Sequence, residues 1–387
     1  MSDDAEVVYS EDLEVNTGRS NWTGWVFVAF LTYLILIGVS AVGAGFKLAS
    51  ADQAAKLFEF ASNPFLGLLV GVMTTALVQS SSSVTTIIVG LVAGGVPVGL
   101  AIPMIMGANI GTTITNTLVS LGHIRDNIEF RNAFSAATVH DFFNLLAVII
   151  FLPLEIFFHP LERISGVISH YLLDGDVVSM TPGTNFIKMA TSPVVNFLKD
   201  TLGFLDNVYA GIGLTIIGIV LIFMSITWLG KRLRHLLVGR AKAILHRAIG
   251  RGPLSGITSG SIVTILVQSS STTTSLMVPL VGSGVFRMRD IYPFSLGANI
   301  GTCITALIAA TAVSGQYTVF ALQIAIVHFL FNVSAVVLIY GLPVLREIPP
   351  TLAEKLAAIA VRKKAVALAY IVGIFFLFPA MMIFLVG

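Results

Sequence analysis

Charge is what this sequence has least of. Only 11% of its 387 residues are Asp, Glu, Lys or Arg, while 56% are hydrophobic. Soluble domains carry roughly 25% charged residues, so a soluble globular fold is excluded and an integral membrane protein is implied. Cysteine is almost missing: Cys303 stands alone, which rules out an intramolecular disulfide. Residues 1–20 lack the basic, apolar and small-residue succession of a cleaved signal peptide and read as a polar cytoplasmic tail. A net charge of +2 gives no reason to expect nucleic acid as a partner. The Gly-x-Ser-x-Gly elbow of serine hydrolases is also missing, so an intramembrane hydrolase using His140 or His328 as base is disfavoured and no enzyme is expected.

What is present is a series of apolar runs near the roughly 20 residues that a spanning helix needs. Breakers and periodicity give a span over 22–46, an amphipathic interfacial stretch at 51–62 and an apolar stretch at 64–95 interrupted in its middle. Each half of 64–95 is too short to span, so a re-entrant hairpin is the better reading. Then come 98–121, expected to be broken at Gly107–Gly111, and a span at 133–158. The polar stretch 159–207 reads as an external connector. The order then repeats, with a span at 210–229, a basic amphipathic segment at 231–252 and a second hairpin at 253–284. A helix at 291–313 broken at Gly297–Gly301 and a span at 319–342 complete the second half. Residues 343–387 hold a cytoplasmic loop and a last span, about 365–385, with no counterpart in the repeat.

Three motifs fix the repeat. Gly67, Gly71, Leu77, Val78 and Gln79 recur 189 positions later as Gly256, Gly260, Leu266, Val267 and Gln268. Asn109, Thr112 and Thr115 recur 190 later as Asn299, Thr302 and Thr305, and His140 and Asn144 recur 188 later as His328 and Asn332. The basic residues give its sense. With the N-terminus cytoplasmic and both hairpins re-entrant, all 22 fall inside except Lys47, Lys56, Arg163, Lys188 and Lys199. The two halves, 21–158 and 208–342, are then inverted relative to each other. The expected fold is an all-α polytopic membrane protein of two inverted repeats, each with a hairpin and a broken helix.

The most informative residues are two hydroxyl clusters in apolar surroundings, Gln79-Ser80-Ser81-Ser82-Ser83 and Gln268-Ser269-Ser270-Ser271-Thr272. Polar breaks within a bilayer persist only where protein or a cavity satisfies them. Hairpins entering from opposite sides bring their tips to mid-membrane. Helix N-termini and hydroxyls there suit a compact oxyanion such as phosphate. Close helix packing alone also uses Ser and Thr, but it does not call for two matched runs. Asn109 and Asn299 join the anion set. Neither tip carries Lys or Arg, so a co-bound cation is expected to offset the charge. Thr112, Thr115, Thr302 and Thr305 lie in or just after the glycine-rich breaks, where unwound carbonyls would serve a hard monovalent cation. Asp141, inside an apolar run, is a further candidate, and Asn144 shares its face. Asp126 stands in a polar turn. His140 and His328 are expected to hydrogen-bond the broken helices, and 231–252 to lie on anionic lipid.

These motifs, with Phe130–Asn144 (FRNAFSAATVHDFFN), resemble the type II sodium-dependent phosphate cotransporter family over residues 60–160 and 250–340. The resemblance implies secondary-active symport of inorganic phosphate with co-transported sodium, and no organic cofactor, by an elevator-like or rocking motion. It implies that the serines contact phosphate and that Gln268, Ser269, Thr302 and Thr305 form one sodium site. Asp126 and Asn144 would contribute to another, and Asp141 matches an aspartate of electrogenic members. His123, Asn127 and Ala298 depart from residues common in animal relatives (Gln, Arg and often Ser), and 159–207 lacks their disulfide-bridged loop. Charge sorting leaves the C-terminus outside, unlike animal members. The compact loops point to a bacterial version in the inner, plasma membrane, and a homodimer is compatible. Another oxyanion such as sulfate, a dicarboxylate, or proton coupling are the alternatives within transport. A channel is disfavoured by the inverted halves.

Overall fold

The computed structural model describes residues 22–50, 63–174, 182–248, 251–315 and 317–386. The tail 1–20 and the expected interfacial stretch 51–62 lie outside them. The described residues are overwhelmingly helical and contain no strand. Seven of the helices are long and apolar enough to cross a membrane: Trp22–Ala49, Val98–His123, Asn127–Phe158, Asn207–Arg234, Met288–Ala310, Thr318–Tyr340 and Ala365–Leu385.

Both apolar stretches read as hairpins fold as helix pairs. The first has arms Pro64–Val78 and Ser81–Ala93, of 15 and 13 residues. At 1.5 Å per residue each is about 20 Å long, short of the ~30 Å hydrocarbon thickness. Proline opens the first arm, and the Asn63 side chain caps it by accepting the Phe65 N–H at 2.9 Å. The second hairpin has Pro253–Val267 as its first arm and returns through Ser270–Ser275 and Met277–Gly282.

The first arm of each hairpin packs along the helix that follows it, Val98–Gly111 or Met288–Ala310. Glycine makes this contact as close as two backbones allow. A methyl group at Gly71 or Gly107 would overlap the carbonyl oxygen of Met104 or Leu68. The matched positions Gly260 and Gly297 meet the carbonyls of Phe294 and Ile257 in the same way. One turn on, a Cβ at Gly111 would stand 2.5 Å from the Val72 oxygen, and one at Gly301 2.6 Å from that of Ser261. Sequence-matched glycines therefore perform the same packing in both halves.

This packing corrects two expectations. Met288–Ala310 runs unbroken through Gly297–Gly301. In the first half the helix also continues through Gly107–Gly111 and interrupts only at Thr112–Thr113. The glycines seat the hairpin arms instead of unwinding the chain. Likewise, the basic segment that begins at Lys231 is no separate helix. It continues the span as one helix, Asn207–Ala248, because no proline intervenes and Gly230 alone does not stop it. The polar connector 159–207 contains helices Pro160–Asp174 and Pro182–Thr201. Glu155 anchors the first of these by accepting the Leu161 and Glu162 N–H groups at 2.8 and 3.0 Å.

Substitution separates packing glycines from incidental ones. Gly107→Ala and Gly297→Ala are each expected to destabilise by about 1–3 kcal/mol or more. Gly341, with nothing within 4 Å of its Cβ position, should accept alanine with no loss. Thermal unfolding of the detergent-purified variants, followed by size exclusion, measures the difference.

Candidate functional site

Both hairpins turn on the same backbone. Gln79 has φ 54° and ψ 28°, and Gln268 has φ 54° and ψ 30°. Left-handed backbone at a residue other than glycine costs about 1–2 kcal/mol and gathers where function demands it. Each glutamine closes the first arm through its N–H, to Thr75 O and to Thr264 O, at 2.7 Å in both. The next serine is extended and caps the second arm: Ser80 Oγ accepts the Ser83 N–H and Ser269 Oγ accepts the Thr272 N–H, each at 3.2 Å. The hydroxyls pair as well, Ser80 with Ser83 at 2.8 Å and Ser269 with Thr272 at 3.0 Å. The sequence repeat is thus a repeat of atomic geometry at the tips.

The two tips line one cavity of about 220 Å³. Gln79, Ser80, Gln268, Ser269 and Thr272 form its polar wall. Ser81, Ser82, Ser83, Ser270 and Ser271 are buried in the returning arms and do not line it. Ser271 instead donates to Thr112 O at 3.4 Å, and Thr274 donates to Asn116 Oδ1 at 3.0 Å, which ties the second hairpin to the first half. The opposite wall is one face of the helix Asn207–Ala248: Phe223, Ile226, Thr227, Gly230, Lys231 and Arg234. Arg234 donates to Thr272 Oγ1 at 2.7 Å. The sequence reading missed both cations by ending the span at residue 229. The spacing 223, 226, 227, 230, 231, 234 was the signal, because it is a single helical face.

The other polar candidates divide into three groups. Thr305 donates to Gln268 Oε1 at 2.9 Å, so this pair from the expected sodium set is in contact. Thr302 and Thr112 bond back to the carbonyls of Ala298 and Ala108, both at 2.9 Å, and Thr115 Oγ1 is buried without a partner. Asn109, Asn144, Asn299 and His140 form a buried chain between the halves. His140 Nε2 meets Asn299 Oδ1 at 2.7 Å, Asn299 donates to Asn144 Oδ1 at 2.8 Å, and Asn144 donates to Asn109 O at 2.8 Å. Neither Asn109 nor Asn299 lines the cavity between the tips. The matched residue His328 is buried with neither ring nitrogen bonded, and Asn332 donates to the His328 carbonyl at 2.9 Å. The network is made on one side of the repeat only.

Asp141 is buried and accepts from Tyr370 at 3.1 Å, while its other oxygen makes no hydrogen bond and the nearby Thr113 hydroxyl donates to Ile110 O. Tyr370 comes from the last helix, which has no counterpart in the repeat. A lone phenol in an apolar span was the available sign of it. Asp126 belongs elsewhere. It caps the helix Asn127–Phe158 by accepting the Glu129 N–H at 2.9 Å and the Ile128 N–H at 2.8 Å. These two bonds hold its carboxyl below the usual carboxylate range. Eighteen helical residues separate it from Asn144, about 27 Å along the axis, so the two cannot share one ion. At the same end, Lys364 donates to Asn127 Oδ1 at 2.9 Å and His123 Nδ1 lies 2.9 Å from Glu129. A second cavity of about 380 Å³, lined by Lys47, Lys188, Ser40, Ser192 and Tyr317 among others, shares no residue with the tips.

The capping role of Asp126 predicts its behaviour. Asparagine caps as well as aspartate, so Asp126→Asn should leave stability unchanged, whereas Asp126→Ala should be measurably less stable. Thermal unfolding of the detergent-purified variants measures the difference.

Residues 34–170 and 221–346 match the model of the Na+/Pi-cotransporter family. The chain is 32% identical over 434 aligned residues to sodium-dependent phosphate transport protein 2B of Homo sapiens, covering 90% of this chain and 63% of that protein. It is equally 32% identical to the protein of that name in Bos taurus, over 92% of this chain and 64% of the relative. For sodium-dependent phosphate transport protein 2A of Rattus norvegicus the identity is again 32%, over 90% and 65%. The chain therefore spans a little under two thirds of the length of these relatives. No solved structure matches it. With the family pattern covering both halves and both tips, the chain belongs to the Na+/Pi-cotransporter family.

Proposed function

We propose that this chain is a secondary-active symporter that imports inorganic phosphate together with sodium across a plasma membrane. The observation that carries the reading is the convergence of two geometrically matched Gln-Ser tips on one cavity. Such a cavity offers a tetrahedral oxyanion hydroxyl donors that rotate to suit it and amide groups from Gln79 and Gln268. The names of the relatives support sodium and phosphate as the cargo.

In this reading the halves are inverted repeats, about 21–158 and 208–342, with the N-terminus cytoplasmic. The hairpins are re-entrant, because their arms are too short to span. Gln268, Ser269 and Thr305 hold sodium beside the anion, with Thr302 behind them. Thr115, with its unpartnered hydroxyl, is the first-half counterpart of Thr305. Asp141 and Asn144 form a second cation locus, where the free carboxylate oxygen of Asp141 accepts the ion. Asp126 is assigned to capping. Coupling follows from electrostatics: sodium held at Gln268, Ser269 and Thr305 stands beside the anion, and each ion lowers the cost of desolvating the other. The linked chain His140–Asn299–Asn144–Asn109 joins the two halves and transmits occupancy between them. Transport is electrogenic, and a homodimer is compatible with it.

Ser80→Gly and Ser269→Gly test the cradle without removing the caps, since glycine at a helix N-cap costs only a few tenths of a kcal/mol. Each should cut sodium-driven phosphate uptake into proteoliposomes by about tenfold or more while protein yield and unfolding temperature hold. Unchanged uptake in both would refute the cradle. For Asp141→Gly, the expected result is a larger loss of the phosphate-evoked current than of tracer uptake. A current reduced only in proportion to uptake would remove Asp141 from the charge-carrying step.

A further inference from the structure

We propose that Arg234, assisted by Lys231, is the anion-recognition cation of the cavity between the tips, so that phosphate is held by a guanidinium as well as by hydroxyls. The inference rests on the phosphate reading above and adds the residue that selects for the anion's charge.

Two otherwise separate facts support it. Both tips lack Lys and Arg, although the cargo is an anion. The long helix supplies the charge from outside the motif, since Lys231 and Arg234 stand one turn apart on the face that closes the cavity. A long basic side chain at the end of a spanning helix ordinarily extends outward to lipid headgroups. Arg234 turns the other way, and its guanidinium donates to Thr272 Oγ1 at 2.7 Å within the second tip. That bond uses one of five N–H donors in a fixed fork, and the fork matches two oxygens of a phosphate. Thr272 is in turn bonded to Ser269, so the cation, the capping serine and the tip form one connected set.

Among the described residues the cavity wall contains no carboxylate, and Lys231 and Arg234 are its charged lining groups. A wall with fixed positive charge and neutral donors favours the more highly charged form of an oxyanion. It favours phosphate over neutral solutes of the same size. Thr272 then has two functions: it completes the hydroxyl cradle, and it holds the guanidinium in register.

Equilibrium binding of radiolabelled inorganic phosphate to the detergent-purified full chain tests this directly. It is measured in sodium chloride and in choline chloride, on either side of phosphate's second ionisation. The wild-type chain should bind in sodium, and more tightly at the higher pH. Arg234→Gln should weaken binding by about 10- to 100-fold, the loss of a charge-assisted contact, and should flatten the pH dependence. Arg234→Lys should recover part of the affinity, and Lys231→Gln should lose less than Arg234→Gln. A variant that merely loosened Thr272 would lose affinity equally at both pH values, which would overturn the proposal. Wild-type affinity in Arg234→Gln would overturn it too, while leaving the phosphate reading standing. If Arg234→Gln fails size exclusion, Arg234→Lys decides: intermediate affinity supports the proposal and wild-type affinity overturns it. Wild-type chain that binds no phosphate in sodium would instead overturn the proposed function itself, and this inference with it.

Discussion

Everything distinctive here depends on backbone-to-backbone contact between the first arm of each hairpin and the helix that follows the hairpin. Gly71 and Gly107 in one half, and Gly260 and Gly297 in the other, allow carbonyls to lie where side chains would stand. Within a membrane there is no hydrophobic drive between helices, so association depends on such close packing and on polar contacts. The contact sets the depth at which each arm ends. That in turn sets where Gln79 and Gln268 turn and which hydroxyls face each other across the cavity.

The polar interior carries little charge of its own. The tips are neutral, the threonines mostly bond back to their own helices, and the His140–Asn299–Asn144–Asn109 chain links the halves with neutral groups. Among the described residues, charge stands near these polar groups at the Lys231–Arg234 wall and at Asp141 with Tyr370, while the buried Glu155 caps the connector helix. One place suits an anion and the other a cation. The network is also asymmetric, with His140 bonded and its repeat partner His328 not. Two halves of matched sequence thus hold different hydrogen-bond states at the same time.

Much of this was legible in the sequence because the costs are large. Hydroxyl runs in apolar surroundings located the helix pairs and their turns, and sequence-matched glycines marked the positions where the two halves pack alike. What failed did so for identifiable reasons. Glycine permits both unwinding and close approach, and Gly107–Gly111 and Gly297–Gly301, read as breaks, are packing notches. Only the three-dimensional contact with Leu68 and Ile257 decides. Lys231 and Arg234 looked like interfacial residues because charge usually marks the end of a span, yet the helix continues and its face points at the tips. Tyr370 reaches Asp141 from 229 positions away, and no local pattern encodes such a contact. Asp126 stands in a polar turn where it caps a helix, and about 27 Å of that helix separates it from its expected partner.

The central claim is that one anion sits between the two tips. The most direct measurement is an electron cryomicroscopy map of the full chain in sodium phosphate, compared with one in sodium chloride. The account predicts added density in the cavity bounded by Ser80, Ser269, Thr272 and Arg234. Added density confined to the cavity lined by Lys47 and Lys188, with the tips unchanged, would contradict it.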